Sequence, residues 1–469
     1  MRTLVLLALL ASSGCASSTE ASPDAGGAPD AGPDDAFVSD ASRDGGATDA
    51  APPDANVDAG CVSRPPAEIV YVNRVFETNP NVWMFAVTSG STPGTFVLGG
   101  HQEAPVASYY QGLRGTWTDA PPGLGAITHY GDNQGSMIAE LATSAAGEVF
   151  AVGWFATPND IEGESFTVAS STPVGFVART PAGGTTTVTT IAADLDVELD
   201  ALAVGADGYV IGGSFQGSLV LGTERCDSGF SFVAAFDDAG TIRWMRCLDG
   251  WSADVEGLAT DDAGDVYVVG HFGHYVSSDD GMMATSQGDD DGYVMSFSAA
   301  GHTRWVRAVG TTDSSSRNEA LERVVIAGSR VIAVGYVGPG DPGVTPSTPA
   351  LGGTDGVVVV LDASTGHDIG LTRVGLDADD AVHDIALDAC RGAWVVGESQ
   401  GATIITRVDT ETLAVVDAVL PGEAGGLVPR AVTVSGDRIL VTGTYTGSPI
   451  GTGLPRVRTY SGAFVLGLR

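Results

Sequence analysis

The chain has 469 residues, room for one large domain or two to three ordinary ones, and its 43% apolar content permits a substantial core. Fifty-eight carboxylates against 22 basic residues, every one an Arg, give a formal charge of −36. A field of that sign repels phosphate backbones and anionic lipid surfaces, which argues against nucleic acid as a partner.

Residues 1–14 read "MRTLVLLALLASSG": one Arg, an apolar run, then small residues. That is the composition of a secretory signal peptide, and it falls short of the roughly 20 apolar residues a membrane span needs. The small residues ending in Gly14-Cys15 resemble a bacterial lipobox, although Ser12 stands where Leu is commoner. The resemblance implies lipidation of Cys15 as the first mature residue. Ala16, rather than Asp, follows it, which predicts an outer-membrane lipoprotein facing periplasm or cell surface.

Residues 15–60 are low in complexity, built on Asp-Ala and Asp-Ala-Gly, with one Phe and two Val as the larger apolar side chains. Such a segment buries too little to offset its ordering entropy, so it is predicted to be a disordered, self-repelling tether. Residues 1–60 carry only −8 of the charge, leaving −28 on residues 61–469. The predicted folded part is itself acidic.

From Glu68 onward the chain repeats. Runs of β-formers closing on glycine recur at Gly100, Gly153, Gly213, Gly270, Gly335, Gly397 and Gly443, at intervals of 46 to 65 residues. Each follows one apolar strand and precedes another, and a fourth often carries Trp, as in "TIRWMRC" and "HTRWVRA". Calling these strands A to D, the pattern predicts seven antiparallel four-stranded units. The last copy stops after its C strand at Arg469, and one unassigned strand, "EIVYVNRV" (Glu68–Val75), precedes the first A strand. The fold class expected is all-β: a seven-bladed β-propeller over residues 61–469, closed by the N-terminal strand completing the last blade. Blade one fits worst, since "ASYYQGLRGTWTDAPPG" does not present obvious C and D strands.

The clearest copy runs Phe232 to Asp237, Gly240 to Trp244, Leu258 to Asp261 and Gly264 to Gly270. These residues resemble the bacterial β-propeller repeat called SBBP, and the tether resembles those of myxobacterial lipoproteins. The resemblance implies the fold; it implies no particular activity, because propellers host binders, lyases, hydrolases and scaffolds alike.

An exported chain sits where disulfides persist. Cys226 precedes a C strand and Cys247 ends the D strand paired with it, which predicts their bonding; Cys61 and Cys390 are left as a second pair. His271 and His274 lie three apart, an unsuitable spacing for metal ligands in an extended segment, and read as solvated loop residues. No Gly-x-Ser-x-Gly, phosphate loop or dinucleotide fingerprint occurs, so no catalytic residue, cofactor or metal ligand is assigned. Acidic runs such as Asp289–Asp291 suit turn chemistry, with bridging Ca²⁺ the lesser expectation.

Function is expected where long B–C loops of blades two, four, five and seven share a face with the D–A segments. On that face the candidates are Trp251 and Arg317, types enriched at binding hot spots, with Asp377, Asp379 and Asp380. The leading expectation is a non-enzymatic scaffold for a protein or glycan partner, touching membrane only through its lipid. The alternatives are a hydrolase or lyase using acidic residues around the channel, and a purely structural envelope protein. Converging His, Asp and Arg would mark the enzyme, and absence of any concave pocket the structural protein.

Overall fold

The computed structural model describes residues 68–75, 81–103, 110–130, 135–156, 159–161, 164–166, 172–227, 229–312, 319–390, 392–400, 402–418, 427–447 and 457–469. The predicted leader and tether, with Cys15, and also Cys61 and Arg317, lie outside them.

The described residues form seven four-stranded antiparallel units. Blade one is Val82–Ser89, Thr95–Glu103, Tyr110–Asp119 and Pro122–Tyr130; blade two is Ser136–Thr143, Val149–Phe155, Val174–Thr180 and Thr187–Ile191. Blade three uses Val197–Gly205, Gly208–Phe215, Ser231–Phe236 and the first part of the long strand Ile242–Thr260. The rest of that strand begins blade four, which continues through Val266–Ser278, Met283–Phe297 and Thr303–Val309. Blade five is Ala320–Ala327, Arg330–Val337, Asp355–Asp362 and Asp368–Val374, and blade six is Asp380–Leu387, Gly392–Ser399, Ala402–Asp409 and Val415–Ala418. Blade seven takes Leu427–Ser435, Arg438–Gly447 and Val457–Leu468 from the C-terminus and Ile69–Val75 from the other end of the propeller, with Val72 opposite Leu466. The A strands pack in order, and the seventh packs on the first, so the ring closes.

Each blade alternates its side chains between two neighbours. In Val266–Gly270, Val266 and Val268 join the core shared with blade three, while Tyr267 and Val269 join the one shared with blade five. Both faces being buried, the strands read as continuous apolar runs instead of alternating ones. One hydrophobic cluster fills each of the seven blade interfaces.

The repeating glycines have one cause. Every A strand carries a bulge, and the register slips opposite the B-strand glycine, as between Leu199 and Ala201 facing Gly213. The bulge pushes a carbonyl against that glycine: a Cβ at any of the seven would stand 1.9 to 2.1 Å from a carbonyl oxygen of the A strand. The Trp of a D strand is seated in a similar way. Trp244 and Trp305 donate Nε1–H to the carbonyls of Ala299 and Ala363, in the C–D turn of the next blade, both at 3.1 Å. Gly301 and Gly366 leave room there at φ 82° and 70°.

Three local expectations are corrected. Blade one has full C and D strands. The segment between Gly273 and Asp291 is no loop: its two arms pair as an extended ribbon, Val276 opposite Ala284, and the first arm also pairs with Leu248–Gly250 of Ile242–Thr260. Blade three, not counted among the long-loop blades, inserts a small hairpin, Leu219–Leu221 with Glu224–Cys226. Cys226 at its end is bonded to Cys247, with a Cα–Cα distance of 5.7 Å, as expected from their positions.

Candidate functional site

The bulge places one residue per blade toward the channel: Phe85, Ala139, Asp200, Glu256, Glu322, His383 and Arg430. Those of blades five, six and seven meet. His383 of blade six lies 2.9 Å from Glu322 of blade five, and Arg430 of blade seven donates to it at 3.0 Å. One position further along each A strand is a second set. Here Arg323 of blade five pairs with Glu140 of blade two at 3.1 Å. Those blades are not neighbours, so the guanidinium crosses the channel.

The wall is uneven. Blade one contributes aromatic groups, with the His101 ring tilted against Trp83 at 5.0 Å and Phe85 at 5.2 Å; burial holds that imidazole down to about 4. Blades three to five are acidic. Burial, then the charges of Glu256, Glu198 and Asp254, push Asp200 up to about 8. Asp384 is pushed up to about 7 by burial against the opposing charge of Arg323. Burial works against the Arg323 cation, but Glu140, Asp384, Glu322 and Glu256 outweigh it and raise its pKa. His271 sits 3.5 Å from both Asp254 and Glu256, whose carboxylates hold its imidazole toward the charged form. Reading His271 as a solvated loop residue is therefore wrong, whereas His274 is exposed.

Above this wall, between blades three and four, lies a cavity of about 550 Å³. Three segments of the B–C and D–A face build it: the link into blade three (Asp196, Glu198), the flanks of the blade-three insertion (Phe215, Phe230), and the link into blade four (Trp251, Asp254). Trp251 is 67% and Phe230 56% exposed, far more than any core aromatic. The backbone fixes Trp251, which pairs with Gly273 while Ser252 and His274 turn through φ 52° and 59°. The disulfide fixes the other side, because Cys226 anchors the insertion that leads to Phe230.

Of the expected binding-face residues, the structure brings Trp251 into this cavity. Asp379 and Asp380 line a separate hollow of about 360 Å³ beside Glu398 and Tyr336, and both are committed to the backbone. Asp379 accepts the Thr354 N–H at 2.9 Å and Asp380 that of Leu376 at 2.8 Å. Asp377 is exposed on the same link. The channel residues and Asp196, Glu198 and Phe230 were missed. The one available signal for the channel residues was the A-strand position just after the residue opposite each repeat glycine, where the residue type changes from copy to copy. Among the described residues no group of three or more side chains is arranged to hold a metal ion.

No family model and no curated protein matches the chain. Among solved structures it is similar to the WD40 β-propeller domain of Doa1, with TM-score 0.48 and 9% identity over 86% of this chain and 97% of that one. It is also similar to a streptogramin B lyase, with TM-score 0.47 and 10% identity over 85% and 98%. The propeller assignment stands on the strand pairing and ring closure described above.

Proposed function

We propose that the chain is an SBBP-type cell-envelope lipoprotein whose propeller binds a glycan or protein ligand at the B–C and D–A face. One observation carries this reading: an immobilised, two-thirds exposed Trp251 beside a cavity of about 550 Å³. Exposed aromatics on a rigid frame give contact area at small entropic cost. A cavity also speaks against the purely structural alternative. Anchoring through Cys15, outer-membrane placement and a Cys61–Cys390 bond belong to the same proposal. Cys390 is disulfide-bonded, which supports the last of these. The experiment is a binding screen of the non-reduced protein against peptidoglycan fragments, a sugar panel and envelope extract, with Trp251→Ala as control. Loss of every captured ligand in the variant supports the face; undiminished binding places the ligand elsewhere. Metabolic palmitate labelling of wild type and Cys15→Ser tests the anchor.

A second reading, a hydrolase or lyase, is favoured by Asp200 and Asp384, carboxyls held near neutrality where acid–base catalysis operates best. His271 is unsuited as the base, since two carboxylates hold its proton. Turnover of a bound ligand, abolished by Asp200→Asn with binding retained, would establish this reading.

A further inference from the structure

We propose that the cavity between blades three and four recognises an organic cation, an ammonium or guanidinium group held by Asp196, Glu198 and Asp254 with its carbon frame against Trp251. This rests on the reading of that face as the ligand site and names the chemistry it selects.

The charge pattern of the walls is the first argument. Three carboxylates and two exposed aromatics line the cavity, and no Arg does. The chain contains no Lys that could fold in to neutralise them, and the basic side chain beside them is His271, 3.5 Å from Asp254. Several acidic side chains elsewhere have evident employment. Asp261, Asp362, Asp388 and Asp409 each accept backbone N–H groups in their own turns. Asp355 and Asp388 also hold arginines. Asp196, like Asp380, has an Oδ1 buried without a hydrogen-bond partner, but the other oxygen of Asp380 accepts the Leu376 N–H of its own turn. A buried acceptor left unmade costs free energy that a donor supplied by a ligand would return.

The second argument is the platform. A cation over the face of Trp is attracted by the ring quadrupole, and the attraction strengthens as the site dries. Trp251 and Phe230 are held on two rigid supports, the paired strand and the disulfide-bonded insertion, so ordering costs little on binding. Burial, then the neighbouring charge of Asp196, raises the pKa of Glu198, in keeping with a cluster of like charges waiting for a counter-charge. A neutral sugar would use Trp251 but leave the carboxylates uncompensated, and an anion would be repelled.

The test titrates the full-length, non-reduced protein by calorimetry with glucosamine, N-acetylglucosamine and agmatine. The two sugars differ in whether the nitrogen is charged, and agmatine carries cations without a sugar ring. Glucosamine or agmatine is expected to bind at least about tenfold more tightly than N-acetylglucosamine, with affinity falling several-fold as salt rises through the screening range. Asp196→Asn and Trp251→Ala should each weaken the cation about tenfold, their melting temperatures confirming the fold. Binding of agmatine alone supports the inference and identifies a basic side chain as the natural source. Binding of glucosamine alone identifies an amino sugar. Equal binding of the two sugars overturns the cation inference while leaving Trp251 as a carbohydrate platform. Absence of binding by both cations at millimolar concentration also overturns it, and the Trp251→Ala screen then decides separately whether the face binds anything.

Discussion

Two sets of carboxylates occupy the same face of the ring and have opposite fates. At the end of the blade-five B–C loop, Asp355 accepts the N–H groups of Leu351 and Gly352 and pairs with Arg373 at 2.6 Å, both side chains being essentially inaccessible. One blade back, Asp291 accepts from Gln287 at 2.6 Å and Gly288 at 3.3 Å in the same way. Across the cavity rim, Asp196, Glu198 and Asp254 gather with no Arg among them. An acidic surface in this protein is thus two things at once. Many carboxylates replace missing backbone partners in tight turns, while Asp196 and Glu198 are left over and Asp254 has His271 beside it. Only the leftover ones are free to meet a ligand, so the partner of each carboxylate, rather than their number, locates function.

The comparison is sharpest at Asp355. Replacing it by Asn leaves one acceptor oxygen for loop N–H groups that use two, and strips the charge from beside Arg373. The guanidinium then retains only the carbonyls of Gly338 and Gly340, at 2.8 and 2.7 Å. Breaking a buried pair on one side costs about 3–5 kcal/mol. Urea denaturation of Asp355→Asn should show that loss, and a change below about 1 kcal/mol would mean that these carboxylates are not structural.

The channel acids come next in size, and they act through pH. Asp200 is raised to about 8 in the folded state against an ordinary value near 4. Between those limits the folded protein binds a proton that the unfolded chain has released. Stability contributed by this group is therefore full at low pH and declines as pH rises toward 8, by up to about 1.4 kcal/mol per pH unit. Asp384, raised to about 7, acts in the same direction. So does His271, whose raised pKa favours the fold until the imidazolium is lost. Wild type should become less stable from pH 5 to pH 8, and Asp200→Asn, neutral throughout, should flatten that slope. An unchanged slope would show that the channel solvates Asp200 well.

The ring was legible because its causes are local and repeated. A glycine opposite each bulge recurs in every copy, a Trp donating to the next turn and aspartates in tight corners recur in several, and the spare N-terminal strand matched the vacancy in blade seven. The Cys226–Cys247 bond was legible for the same reason, since strand pairing alone brings the two sulfurs together. The site was not. Its acids come from two separate links, at Asp196 and Asp254, and no spacing rule joins them. The conspicuous acidic runs, Asp289–Asp291 and Asp377–Asp380, include residues that the loops consume as caps. Trp251 stood out by residue type, while Phe230 depended on a hairpin insertion that departs from the repeat. Arg323 and Glu140 meet across the ring only after closure. What repeats can be read one copy at a time; what functions is where the copies differ.

The smallest expected effect is the most discriminating. Asp196→Asn removes one charge from a like-charged group and leaves a side chain of nearly the same shape. Its Oδ1 makes no hydrogen bond that could be lost. Its backbone carbonyl, which accepts the Gln216 N–H at 2.9 Å, is untouched. Stability should therefore move by no more than about 0.5 kcal/mol, the range of a substitution free of structural duties. Relief of repulsion with Glu198 should make any change a gain. Measured beside Asp355→Asn in the same denaturation series, the pair separates the two classes of carboxylate by several kcal/mol. A loss at Asp196 approaching that at Asp355 would mean that this carboxylate, too, belongs to the scaffold.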